Sequence, residues 1–212
     1  MWPVGEDARW SAGAACGLVG PAVFIVGWAG LGAGTAGYSA LRQPISDLAR
    51  IGAPHRLAMT AALFVYGLCM LGFAPVAARA PGPRLLGPVV GLIGIAALGV
   101  AAFPLTEVPG SDGDAGHALF AVTRYLAATA APLLGGAALW ARGARGWAGA
   151  SFAAAAVAAT ALTLTVAPGD PGLAQRVGLS AADLWLMAMA ARALGAGRSA
   201  TAPATDGVDA GR

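Results

Sequence analysis

Seven side chains hold most of the chemistry available to this sequence: Ser46, Asp47, Arg50, His117, Arg124, Arg176 and Asp183. Asp47 and His117 are the candidates for proton transfer, a carboxylate and an imidazole being the groups that exchange protons near neutral pH. Arg50 and Arg176 suit the opposite task, since a guanidinium forks onto the oxygens of a phosphate or carboxylate. His117 and Arg124 are seven residues apart, as are Arg176 and Asp183, so each pair falls on one face of a helix. Tyr125 flanks the first pair and Ser180 lies between the members of the second. His55, His117 and Asp47 would supply three metal ligands, but none stands in the HxxxH or HxxE spacing that places two ligands on one helical face. Neither a metal nor a cofactor is expected.

Ser46, Asp47 and Arg50 belong to the polar stretch "GYSALRQPISDLARIGAPHR", residues 37 to 56, in a chain that is otherwise strongly apolar. Of 212 residues 58% are hydrophobic and 11% charged, against about 45–50% and 25% in soluble domains, and mean hydropathy is +0.69. The solvent for such a chain is a bilayer. Six runs approach the ~20 residues that cross a hydrocarbon core: 12–33, 57–78, 85–103, 117–140, 148–167 and 173–194. Pro- and Gly-rich links separate them. The expected architecture is an all-α membrane protein, a six-transmembrane-helix bundle over 12–194, preceded by a cytoplasmic N-terminus (1–11) and followed by a disordered cytoplasmic tail (195–212). Cys16 and Cys69 fall inside apolar runs, as small packing residues do. Gly13 with Gly17, Gly30 with Gly34 and Gly87 with Gly91 have the spacing that brings helix backbones close. Trp10, Trp28, Trp140 and Trp147 suit an interfacial aromatic belt. Asp114 and Asp170 stand where they could cap the fourth and sixth helices.

Arginine alone supplies the 13 basic residues, and the net charge of +3 is too small and too scattered for nucleic acid. Arg9, Arg79, Arg84, Arg142, Arg145, Arg192, Arg198 and Arg212 collect on one side of the expected bundle; Arg42, Arg50, Arg56 and Arg176 collect on the other. The positive-inside rule then makes a multi-pass protein of the cell membrane with both termini cytoplasmic. The polar stretch faces outward.

Within that stretch Leu41, Ile45, Leu48 and Ile51 recur at helical spacing while Arg42, Gln43, Ser46, Asp47 and Arg50 take the other side. Gly52 and Pro54 stop the turn. The pattern predicts a short amphipathic helix, Pro44 to Ile51, lying at the membrane surface in the first outer loop. "GYSALRQPISDLARIGAP", "FP" at 103 and 104, "GH" at 116 and 117, "QR" at 175 and 176 and "DLW" at 183 to 185 together resemble the six-span prokaryotic membrane proteins called domain of unknown function 998. The resemblance implies a six-helix membrane fold and brings no activity with it. In that family an acid often follows Phe-Pro almost directly; here Leu105 and Thr106 come before Glu107.

Charges inside the spans need partners or a function. Arg124 and Asp183 each lie roughly 10–15 Å below the outer surface at ~1.5 Å per residue, and are expected to pair. Asp47 is expected to fold over the outer mouth toward His117 and Arg176, making one polar pocket for the head group of a lipid or isoprenoid, with Ser46, Arg50, Arg124 and Asp183 in its walls. The plainer alternative leaves Asp47 paired with Arg50 or Arg42 and the loop merely sealing the bundle. Membrane lipids are the expected partners; the sequence is silent on oligomeric state. An enzyme acting on a lipid or isoprenoid through Asp47 and His117 is a second reading, and a small transporter a third, the last disfavoured because no internal repeat is visible.

Overall fold

Residues 8–79, 85–108, 110–166 and 171–201 are described by a computed structural model of the chain, and among them all regular structure is helical. The helices are α1 (Ala8–Gly34), α2 (Arg56–Ala78), α3 (Leu86–Ala102), α4 (Ala115–Ala141), α5 (Arg145–Val166) and α6 (Pro171–Thr201), with short 3₁₀ segments at Ile45–Ala49 and Asp112–Asp114. Pro21, Pro75 and Pro132 sit within α1, α2 and α4 without ending them, as membrane helices tolerate when neighbours satisfy the freed carbonyls.

Each helix packs on the next in sequence, α1 closes the ring against α6, and α4 also meets α6 across the interior. The ring is held by small residues. A methyl on Gly67 of α2 would lie 2.9 Å from the Gly94 carbonyl oxygen of α3, and one on Gly94 would lie 2.8 Å from that of Gly67. The two backbones therefore cross in near contact, which only glycine permits. Gly13, Gly17 and Gly87 are similarly packed, whereas Gly30 and Gly34 face open space. That last pair packs nothing.

Large apolar side chains cover the outside, among them Val26, Leu57, Phe64, Ile95, Leu119 and Leu184. Water would oppose such a surface and hydrocarbon would not. Five helices are long and apolar enough to span a membrane; α3, with 17 residues, is shorter. The protein is thus membrane-spanning. Residues 35–55, 103–108 and 110–114 share one end of the bundle, tied by a hydrogen bond from Ile51 N–H to the Leu105 carbonyl (2.9 Å); we call this the loop end. At the opposite end Arg145 stacks on Trp140 and Arg192 on Trp147, at 4.9 and 4.3 Å from the ring centroids.

Four expectations change. The predicted surface helix 44–51 is a five-residue 3₁₀ segment, Ile45–Ala49, tucked among α1, α2 and α6. Its three residues per turn put Ile45 and Leu48 on one side, and both are buried while Leu41 is exposed. Trp10 is buried against α6, its indole N–H reaching the Ala193 carbonyl at 3.4 Å, instead of lying in a belt. Asp114 precedes α4 but does not cap it: its carboxylate accepts from Thr106 N–H (2.8 Å), the Thr106 hydroxyl (2.9 Å) and Gly110 N–H (3.0 Å), and so folds the 106–110 loop. Finally, α6 continues to Thr201, past the expected boundary at 194. Arg84, Asp170 and the tail from 202, with its expected disorder, lie outside the described residues.

Candidate functional site

Arg176, on the first turns of α6, organises the loop end. Its Nη1 donates to the carbonyls of Ala40 (2.7 Å), Gln43 (2.9 Å) and Gly172 (2.9 Å), and its Nη2 to the Tyr38 hydroxyl. The Tyr38 hydroxyl in turn donates toward the carbonyls of Pro44 (3.0 Å) and Gln43 (3.3 Å). Burial pushes that phenol above its ordinary value while the Arg176 charge pulls it back; it stays a neutral donor at physiological pH. Leu173 N–H bonds the Leu41 carbonyl at 2.8 Å, and the Gln175 side chain accepts from Ile45 N–H. Gly172 makes the approach possible, because a methyl there would sit 2.8 Å from the carbonyl oxygens of Ala40 and Leu41. The start of α6 is therefore a latch that pins residues 38–45 over the bundle.

The pinned 3₁₀ segment divides two polar spaces. Outside it lies a recess of about 350 Å³ lined by Tyr38, Gln43, Asp47, Arg50, Pro54 and His55, among others. Asp47 Oδ1 is 2.8 Å from Arg50 Nη2, and Arg50 Nη1 donates to the Thr106 carbonyl at 2.6 Å. Both side chains remain partly exposed, at 19% each. Inside lies a chamber of about 30 Å³ between Ser46, His117, Arg124, Tyr125 and Gln175, with apolar walls that include Phe24 and Leu179. His117 is buried, its Nδ1 against the Phe103 carbonyl at 2.9 Å. Arg124 and Tyr125 are buried too, and Arg124 Nε and Nη2 and the Tyr125 hydroxyl have no hydrogen-bond partner.

Below the chamber four helices converge on one ion pair. Arg124 Nη2 stands 3.9 Å from Asp183 Oδ2. Tyr66 of α2 donates to Asp183 Oδ1 at 2.7 Å. The guanidinium lies 4.1 Å from the ring centroid of Phe24 on α1 and 4.5 Å from that of Tyr66. Two aromatic faces and a carboxylate thus replace the water the cation has lost.

Two apolar grooves open on the sides of the bundle. One, about 620 Å³, runs between α1 and α2 along Ala22, Val26, Gly30, Ala58 and Val65. Its upper end is one helical turn from the recess: Leu31 lines the groove and Thr35 the recess on one side, Ala58 and His55 on the other. The second groove, about 540 Å³, lies between α5 and α6.

The expected Arg124–Asp183 pair is present. The expected single pocket around Asp47, His117 and Arg176 is divided: Asp47 and Arg50 line the recess, Ser46, His117 and Arg124 line the chamber, and Arg176 is engaged by the loop. The reason is local. Ser46 and Asp47 are a third of a 3₁₀ turn apart, so when one faces the bundle the other turns away. Phe24 and Tyr66 went unread in the sequence, and Tyr38 and Gln175 stood in the quoted motifs without a role assigned to them. Tyr66 carried a signal, since a phenol amid an apolar run needs a partner for its hydroxyl.

A family model described as "Protein of unknown function (DUF998)" matches residues 18–192. No curated protein and no solved structure matches the chain.

Proposed function

We propose that this chain, which belongs to the DUF998 family, is a binding protein for a membrane lipid or isoprenoid, holding the head group in the recess and the chain in the α1–α2 groove. The observation that carries the reading is their continuity: a polar hollow of about 350 Å³, lined by the segment that joins α1 to α2, stands one helical turn above an apolar groove of about 620 Å³ between those two helices. An amphiphile has that polarity pattern. Arg50 and His55 would meet a phosphate or hydroxyl group, and Asp47 would hold the Arg50 fork in place. The reading takes α3 as a sixth span, its 17 residues rising about 25 Å at 1.5 Å each, with the recess on the outer side and both termini cytoplasmic. An enzyme working through Asp47 and His117 would need both at one substrate, and the 3₁₀ segment stands between them.

The test is the lipid retained by protein purified in mild detergent, identified by mass spectrometry. Gly30 faces open space in the groove, so Gly30→Leu should fill it without moving a helix and expel the chain. Arg50→Ala should lower retention at least about tenfold, as loss of one charge-assisted hydrogen bond does. Both variants should keep the parent's thermal stability within a few degrees. Retention unchanged in both folded variants would refute the reading.

A further inference from the structure

The chamber behind the 3₁₀ segment has no part in the lipid reading, and its lining is chemically one-sided. Arg124 Nε and Nη2 and the Tyr125 hydroxyl are buried without a close hydrogen bond, Nη2 facing Asp183 Oδ2 at 3.9 Å and the phenol facing the Thr165 and Gln175 side chains. Gln175 has its carbonyl oxygen engaged by Ile45 N–H, which leaves its amide N–H groups to present. His117 Nδ1 faces the Phe103 carbonyl and so carries the proton, leaving Nε2 and the Ser46 hydroxyl as the acceptors available on the lining. The side chains of Phe24, Ile45, Leu63, Val100, Ala121 and Leu179 supply the rest of the wall and accept nothing.

Charge points the same way. Among the described residues the ion pairs are Asp47 with Arg50 and Arg124 with Asp183. Arg176, buried close by on α6, is bonded to carbonyls and a phenol with no carboxylate on it. The interior at this level thus carries two guanidinium groups against the one carboxylate of Asp183. Orphaned donors in a low-dielectric site are expensive, and an unbalanced cation is more so. The space, about 30 Å³, takes about two waters at 10–15 Å³ each, or one ion of similar bulk; a phosphate head group does not fit.

We propose that this chamber is a binding site for one small monovalent anion of halide size, held by Arg124, Tyr125 and Gln175 and closed from the recess by the 3₁₀ segment. The anion answers both deficits together, accepting from several donors and balancing the second guanidinium, which water does not.

Bromide is the probe. Crystals of the full chain grown in sodium bromide should show an anomalous peak in the chamber, within hydrogen-bonding reach of Arg124 and the Tyr125 hydroxyl. In detergent, replacing sodium gluconate by sodium bromide at constant ionic strength should raise the unfolding temperature along a saturating curve. Tyr125→Phe removes one donor and keeps the ring, and should weaken the bromide midpoint at least about tenfold. Arg124→Gln should abolish the response; if that variant does not fold, the Tyr125→Phe shift and the anomalous peak decide. A chamber holding water alone in bromide crystals overturns the proposal, as does a bromide midpoint that Tyr125→Phe leaves unmoved.

Discussion

The ion pair of Arg124 and Asp183 shows how burial turns two charges into one unit. Asp183 is 1% exposed and Arg124 5%, so removing either strands the other in hydrocarbon. Asp183→Asn or Arg124→Leu alone should destabilise the bundle by about 3–5 kcal/mol, the usual consequence of breaking a buried pair. Arg124→Leu with Asp183→Leu should recover much of that loss, leaving the cost of the orphaned Tyr66 hydroxyl. Reversible unfolding in mixed micelles measures all three; a double-variant loss equal to the sum of the two single losses would mean that the charges do not depend on each other. The pair was legible in sequence because each residue sits alone in an apolar run at similar depth. Phe24 was not, because a phenyl ring in an apolar run looks the same whether it faces lipid or a guanidinium, and the Tyr66 hydroxyl signalled a partner without naming it.

The latch at the start of α6 belongs to the next scale, where one element positions another. Helix boundaries came close to expectation because Pro, Gly and charge interrupt the apolar runs, as "RAPGPR" and "ARGARGW" do. The loop was read with the right apolar positions and the wrong helix. Ile45, Leu48 and Ile51 suit an α-helical stripe and a 3₁₀ turn equally well, and the choice is made by distant groups that no local pattern reveals: Gln175 on Ile45 N–H, and Arg176 on the carbonyls of Ala40 and Gln43. Gly172→Leu should test the latch, since any side chain there meets those carbonyls. Amide hydrogen exchange over residues 38–50 is expected to accelerate at least about tenfold, equivalent to some 1.4 kcal/mol of lost local stability, while the interior of α2 remains protected. Unchanged exchange would mean that the loop is held by its own buried side chains, Ile45 and Leu48.

On the scale of the whole molecule, the membrane character followed from composition, and the ring of helices from short links. The division of the polar residues between recess and chamber did not, because it depends on which way a single 3₁₀ turn is rotated. Orientation is testable with single cysteines at Ala144 and Asp112 in a background lacking Cys16 and Cys69. In intact cells an impermeant thiol reagent should label the second and spare the first; the reverse pattern would put the recess on the cytoplasmic side. The lipid reading needs the groove and the recess to be occupied together by one molecule. The most direct measurement is a structure determined by electron microscopy in nanodiscs of native lipid, with a bound antibody fragment to add mass. Continuous density from the α1–α2 groove beside Gly30 into the recess between Arg50 and His55 is the expected result. An empty recess above ordinary annular lipid, with density no better ordered at the α1–α2 groove than at the α5–α6 groove, would contradict it.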